Sequence, residues 1–184
     1  MRPVLLLLVL FAFALLIGCP DPIYPAGENP CSSQVLVDVV DSHDGDTIVV
    51  EYASGDRQGS TDDVRLIGID TPEVDHSGDD HDCYALPAWQ EIRDLLEGQQ
   101  AWLTYDEECT DAYGRGLAYV FAEADGLFVN SHLVEQGFAR ACPFAPNTTF
   151  TDDLEARQQE AQAANLGRWA EPCNGGPDCF DGGN

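Results

Sequence analysis

The chain has 184 residues, with 33 Asp and Glu against eight basic residues, for a formal net charge of −25 and a pI near 4.1. All eight cations are arginine, at positions 2, 57, 65, 93, 115, 140, 157 and 168, and lysine is absent. That excludes holding a polyanion through a broad basic surface, which needs many phosphate-neutralising cations. The lack of a glycine period, heptads or repeated long apolar runs excludes collagen, coiled coils and multi-span membrane proteins. A hydrophobic content of 44% and the length fit one domain with one packed core.

The chain opens with Arg2 and an unbroken apolar run from Val4 to Ile17, 14 residues long. A membrane-spanning helix needs about 20 apolar residues, so residues 1–18 read as a signal peptide outside the fold. The run ends Leu16-Ile17-Gly18-Cys19, which resembles the bacterial lipobox and implies lipidation at Cys19; the alternative is an ordinary secretory signal with a chance cysteine. Several acyl chains on one cysteine anchor stably where a single chain is marginal. The resulting localisation is extracytoplasmic: lipid-anchored, in the periplasm or at the cell surface, or secreted. Residues 19–33 carry Pro20, Pro22, Pro25 and Pro30 and read as an extended, semi-rigid tether. The folded domain is expected over 34–173, followed by a Gly- and Asp-rich tail, 174–184.

Apart from Cys19 there are six cysteines: Cys31, Cys83, Cys109, Cys142, Cys173 and Cys179. An even number in an exported chain suggests up to three disulfides, in any of 15 pairings. A zinc site would need tighter spacing than the five residues between Cys173 and Cys179. Because Cys83 and Cys109 each precede a chemistry-bearing segment, a Cys83–Cys109 staple is the expected pairing.

In chain order, Val35–Val40 and Thr47–Tyr52 read as strands around the turn signal Asp44-Gly45-Asp46. Val64–Ile69 is a third strand. Ala85, Ala88, Trp89, Ile92, Leu95 and Leu96 share one helical face, with Pro87 in the first turn and Gly98 past the end. Ala101–Tyr105 and Leu117–Phe121 are strands four and five. Val129, Leu133 and Val134 mark a short helix closed by Gly137, and a third helix opens at Asp152 and runs to Gly167. Five short strands with a helix inserted after the third suit an α+β fold: a five-stranded Greek-key β-barrel plus about three helices, not repeated βαβ units.

Three stretches carry the chemistry. Asp46 leaves a hairpin turn and Asp70 ends a strand; two such carboxylates, if brought together, offer hard oxygen ligands to Ca²⁺ or a similar cation, with a backbone carbonyl completing the set. Arg65 and Asp70 are five apart, so a regular strand would point them to opposite faces and a bend is required to unite them. Glu73 follows Pro72 just beyond the strand, where a loop carboxylate can face a cleft. Arg115, after Gly114, is a rare cation beside several acids; its planar fork suits phosphate oxygens and stays charged. Taken singly, Asp-Gly-Asp is an ordinary hairpin turn and Asp70-Thr71-Pro72-Glu73 an ordinary helix start.

Together and in this order, Val64-Arg65-Leu66…Asp70-Thr71-Pro72-Glu73 and Asp111-Ala112-Tyr113-Gly114-Arg115-Gly116-Leu117-Ala118-Tyr119 resemble the staphylococcal nuclease (thermonuclease-like) family. The similarity continues through Val129-Asn130, Leu133–Ala139 and Gly167-Arg168-Trp169, over roughly residues 35–170. The resemblance implies an OB-fold and a Ca²⁺-dependent nuclease that leaves 3′-phosphate ends on DNA or RNA. By position it implies that Asp46, Asp70 and the Thr71 carbonyl hold the Ca²⁺, that Arg65 and Arg115 contact the phosphate, and that Glu73 acts on the attacking water. Tyr113 would lie at the bound nucleotide, and Phe144 is the one aromatic of 141–145 placed to stack. The nucleic acid substrate would be the only obligate partner of a monomer that meets the membrane through its lipid anchor alone.

The chain departs from the family where basic members carry lysine: Ala112 stands between Asp111 and Tyr113. Two other readings fit the composition, a catalytically idle OB module and an acidic calcium-binding surface protein. The loop Asp75–Asp82 holds His76 and His81 among acids, a second-cation candidate or a solvated loop. His43 and His132 read as surface or partly packed residues.

Overall fold

The computed structural model describes residues 34–176 and residue 179. The leader, Cys19 and the proline-rich stretch lie outside the described residues. Among the described residues no helix is long and apolar enough to cross a membrane.

Five strands close a barrel in the order β1-β2-β3-β6-β5. They are β1 (Val35–Ser42), β2 (Thr47–Tyr52), β3 (Thr61–Leu66), β5 (Gln100–Thr104) and β6 (Gly116–Ala122). β3 and β6 run parallel; the other barrel pairings are antiparallel. Each strand turns alternate residues inward, as the pleat requires, so Val37, Ile48, Val50, Val64, Leu66, Leu103 and Val120 are completely buried. A bulge between Val39 and Asp41 shifts the β1–β2 register, the device by which a strand bends around a small barrel.

α1 (Ala85–Leu96) packs Ala85, Ala88, Ile92 and Leu96 into the core, a 3.6-residue stripe. α2 (Val129–Glu135) buries Val129, Leu133 and Val134, and α3 (Thr151–Ala163) buries Leu154 and Ala161. The expected barrel with three helices is the observed architecture: a closed, mixed five-stranded OB-fold.

Two expectations are corrected. The single third strand over Val64–Ile69 is two elements. β3 ends at Leu66, and β4 (Gly68–Asp70) leaves the barrel to pair with β7 (Arg140–Cys142). The cause is Gly68, whose φ of +80° breaks the extended run; a side chain there would also stand 2.7 Å from Leu154 Cδ1. The third helix ends at Ala163, and a separate 3₁₀ turn, Gly167–Trp169, follows.

The Cys83–Cys109 staple is not formed. Cys83 bonds to Cys173 and Cys142 to Cys179, while Cys109 is also in a disulfide. Chain segments that flank one cleft need not face each other. After the 3₁₀ turn the chain returns to the loop before α1, bringing the Cα atoms of Cys83 and Cys173 within 5.5 Å, a span a disulfide bridges. All five described cysteines are thus oxidised, so none offers a thiolate to zinc.

Candidate active site

Asp46 is built into the turn between β1 and β2. Asp44 Oδ1 accepts the Asp46 N–H at 2.9 Å, an Asx turn. Gly45 lets that turn press on its neighbours: a Cβ there would lie 2.8 Å from Thr71 Cγ2 and 3.0 Å from Ala88 Cβ. Asp46 is 2% exposed. Its Oδ2 accepts the Thr71 N–H at 2.8 Å and the Thr71 hydroxyl at 3.0 Å. Its Oδ1 accepts the Thr47 hydroxyl at 3.2 Å and meets Arg65 Nη1. The Asp46 carbonyl takes the Leu66 N–H at 2.8 Å, tying the turn to the end of β3.

Arg65 sits at the centre. Besides Asp46, its Nη2 donates to the Ile69 carbonyl at 3.2 Å and to Asp70 Oδ1 at 2.9 Å. The break at Gly68 supplies the bend that a regular strand denies. Asp70 swings back onto the face of Arg65, and one guanidinium spans two carboxylates 24 residues apart in sequence. Burial pulls the Arg65 guanidinium below its ordinary value; Asp70, Asp44 and Glu73 act against that, and the positive charge of Arg115 adds to it. An arginine so poised remains protonated at neutral pH because its starting value is so high.

Glu73 has an exposed side chain beyond β4, and its backbone is pinned to Asp82. Its N–H donates to Asp82 Oδ2 at 3.1 Å, and its carbonyl accepts the Asp82 N–H at 3.0 Å. Although its side chain reaches solvent, partial desolvation of the carboxyl by the neighbouring protein raises the Glu73 pKa; Asp44, Asp70 and Asp82 add to the rise and Arg65 opposes it.

Arg115 is aimed by Asp111. One Asp111 oxygen accepts the backbone N–H groups of Tyr113 and Arg115, each at 2.9 Å, and the other accepts Arg115 Nε at 2.8 Å. The Arg115 guanidinium lies 5.6 Å from the centre of the Tyr113 ring. A cleft of about 400 Å³ is lined by Arg65, Ile67, Ile69, Tyr113, Arg115 and Phe144, among others. Tyr113 is 87% exposed and Phe144 65%, the two most exposed large apolar side chains among the described residues; they frame the mouth of the cleft. Ala112 also lines it and adds no charge there.

The structure therefore joins Asp46, Arg65, Asp70 and Thr71 by direct contacts. It places Glu73 and Arg115 within electrostatic reach of Arg65, and Tyr113 and Phe144 on the adjoining cleft. His43 and His132 stay apart, paired with Asp63 at 3.1 Å and Glu91 at 2.8 Å. In the loop 75–82, His81 Nδ1 accepts the Asp75 N–H at 3.0 Å and Asp75 binds Ser77. Among the described residues no three His, Cys, Asp or Glu side chains form a metal-holding group. Sequence reasoning read Asp44 only as part of a turn and Asp82 only as part of the 75–82 loop, and gave Asp111 no role of its own. Only Asp111 left a signal, its position four residues before Arg115 across a Tyr-Gly turn.

The chain matches the staphylococcal nuclease homologue family over residues 63–171. The chain belongs to the staphylococcal nuclease family. It is an enzyme of the hydrolase class. It is 39% identical to the thermonuclease of Staphylococcus intermedius over 126 residues, spanning 68% of this chain and 71% of that protein. It is 32% identical to the thermonuclease of Staphylococcus hyicus over 149 residues, 81% of this chain and 83% of that protein. The endonuclease YncB of Bacillus subtilis is 35% identical over 130 residues, 70% of this chain and 58% of that protein. In this nuclease-family chain the family match contains Arg65, Asp70, Thr71, Glu73, Tyr113, Arg115 and Phe144, whereas Asp46 precedes it.

Proposed function

We propose that this chain is a metal-dependent nuclease that hydrolyses phosphodiesters of DNA or RNA by in-line water attack and leaves 3′-phosphate ends. The observation that carries the reading is the guanidinium of Arg65 held between Asp46 and Asp70 beside the cleft that Arg115 lines. Two buried or half-buried carboxylates already converge on one positive group, so their oxygens fit a hard divalent cation. With two carboxylates only, the remaining ligands are a backbone oxygen and water, the donor set of Ca²⁺. Asp46, Asp70 and the Thr71 carbonyl are the residues assigned to it. When bound, the ion lowers the repulsion between an anionic phosphodiester and its nucleophile.

The protein residues do the rest. Arg65 and Arg115 present fixed donors to the phosphate oxygens, where charge grows in the transition state. Asp111 holds Arg115 in place before substrate arrives. Glu73 orients the attacking water and accepts its proton, general-base help worth about 10²–10⁴-fold. Tyr113 and Phe144 supply exposed rings for base stacking, worth about 1–3 kcal/mol per base. The apolar leader and the disulfides support an extracytoplasmic location, with Cys19 as the lipid anchor and the domain acting as a monomer.

The test is cleavage of plasmid and single-stranded DNA and of RNA by the mature chain, with Ca²⁺ or chelator, followed by analysis of the product ends. Cleavage with Ca²⁺, its loss with chelator and 3′-phosphate termini are expected; a folded protein that cleaves nothing under any cation would sink the reading.

Charge sets a second expectation. The acidic exterior repels the substrate at long range, and at about 0.15 M salt that field decays over roughly 8 Å. Substrate affinity should thus fall little, or rise, across a salt series. A steep loss of cleavage efficiency between about 50 and 200 mM, the behaviour of binding through many phosphate contacts, would contradict it.

A further inference from the structure

Arg168 is 1% exposed and is the largest of the completely buried side chains among the described residues. The 3₁₀ turn Gly167–Trp169 presents it, held where the Arg168 N–H donates to the Gly137 carbonyl at 2.8 Å. Its Nε donates to the Gly175 carbonyl at 2.9 Å and its Nη1 to the Asp70 carbonyl at 3.2 Å. The Gly175 carbonyl also accepts Arg140 Nη2 at 3.1 Å, and Arg140 stands directly opposite Asp70 in the β4–β7 ladder. The Arg140 and Arg168 guanidiniums lie 5.5 and 5.7 Å from the centre of the Trp169 ring. Cys173, two residues before Gly175, is bonded to Cys83 and anchors this segment to the loop before α1.

Asp70 is thus gripped from several sides: Arg65 on its carboxylate, Arg168 on its carbonyl and β7 along its backbone. Three of the eight arginines of an acidic chain, 65, 140 and 168, meet this strand. Packing alone does not require an arginine at 168, because apolar residues of similar volume often replace buried charges without loss of stability. What hydrocarbon cannot supply is a rigid fork with two donors spanning the carbonyls of Asp70 and Gly175. Burial lowers the Arg168 pKa to about 10, with Arg140 adding to the fall and Asp70 and Asp82 opposing it, so the fork is charged at neutral pH.

We propose that Arg168 is a positioning residue for the cation site: its guanidinium clamps the β4 carbonyl of Asp70 to the C-terminal segment at Gly175 and so sets where the Asp70 carboxylate stands. The inference rests on the reading of Asp70 as a Ca²⁺ ligand.

The test compares R168M and R168K with the parent in the full chain, by calorimetric titration with Ca²⁺, hydrogen exchange of residues 68–72 and thermal melting without Ca²⁺. R168M is expected to bind Ca²⁺ at least tenfold more weakly and to exchange faster at 68–72, with a melting temperature close to that of the parent. At saturating Ca²⁺ its KM for DNA should stay within about twofold. R168K, which reaches one carbonyl at a time, should fall between, and it provides the readout if R168M does not fold. Ca²⁺ affinity and exchange at 68–72 both within twofold of the parent would overturn the proposal. If D70N binds Ca²⁺ as tightly as the parent, the ligand role of Asp70 fails instead, and the clamp is then decided by exchange at 68–72 alone.

Discussion

Replacing Arg115 with alanine is expected to slow phosphodiester cleavage by roughly 10³–10⁵-fold, the range over which a single arginine on a transferring phosphoryl group acts. The fold should survive. The Arg115 side chain is 35% exposed and its ion pair is with Asp111 in the same turn, and such pairs contribute about 0–1 kcal/mol to stability. The loss should therefore appear in kcat, with an unchanged melting temperature. Arg115→Lys should recover little, since an ammonium cannot keep Asp111 on one edge while offering a planar pair of donors to phosphate. Single-turnover cleavage at saturating substrate is the measurement; a loss below tenfold would remove Arg115 from the chemistry. Asp111→Asn gives an internal comparison. It keeps an oxygen for the turn amides but weakens the hold on Nε, and should fall between the parent and Arg115→Ala.

Asp46→Ala is expected to damage stability and activity together. The substitution leaves Arg65 buried with one carboxylate in place of two, and orphans the Thr71 N–H and hydroxyl. Removing one partner of a buried ion pair costs about 3–5 kcal/mol, a large part of the roughly 5–15 kcal/mol that holds a domain folded. A second substitution decides whether the cost comes from the stranded charge. Asp46→Ala with Arg65→Met removes the stranded guanidinium but also deprives Asp70 of its partner, so the double variant should lose less than the sum of the two single losses, although none of the three cleaves. Urea unfolding of the two singles and the double closes the cycle. Additive losses would show that the Arg65–Asp46 contact carries little of the stability and that the Thr71 bonds carry the rest.

The candidate residues of this site were legible as a set before any fold was known, from the order and spacing of Asp46, Arg65–Glu73 and Asp111–Arg115 and their resemblance to the staphylococcal nuclease family. An arginine amid so many acids, or a carboxylate at each of two strand ends, is conspicuous. The relation between Arg65 and Asp70 was not legible. Alternation along a continuous strand separates them, and the remedy is a φ of +80° at Gly68, where a glycine in an apolar run reads equally as ordinary strand. The Cys83–Cys173 bond was hidden for a similar reason. Its partners are 90 residues apart, and only the return of the chain after α3 brings them together. Arg168 looked like part of a terminal motif; its contact with Asp70, 98 residues away, has no sequence signature.

Local patterning was enough to outline the barrel strands, the three helices and the acidic composition, and to nominate the groups proposed to handle a phosphate. Those properties depend on side-chain periodicity, turn chemistry and charge, which act over a few residues and are written in order along the chain. Which carboxylate faces which arginine, which cysteines join and what steadies Asp70 were decided by closure of the barrel and by the pairing of β4 with β7. Such contacts arise between segments that meet only after the core has packed, and their geometry is set by the shape of the whole domain.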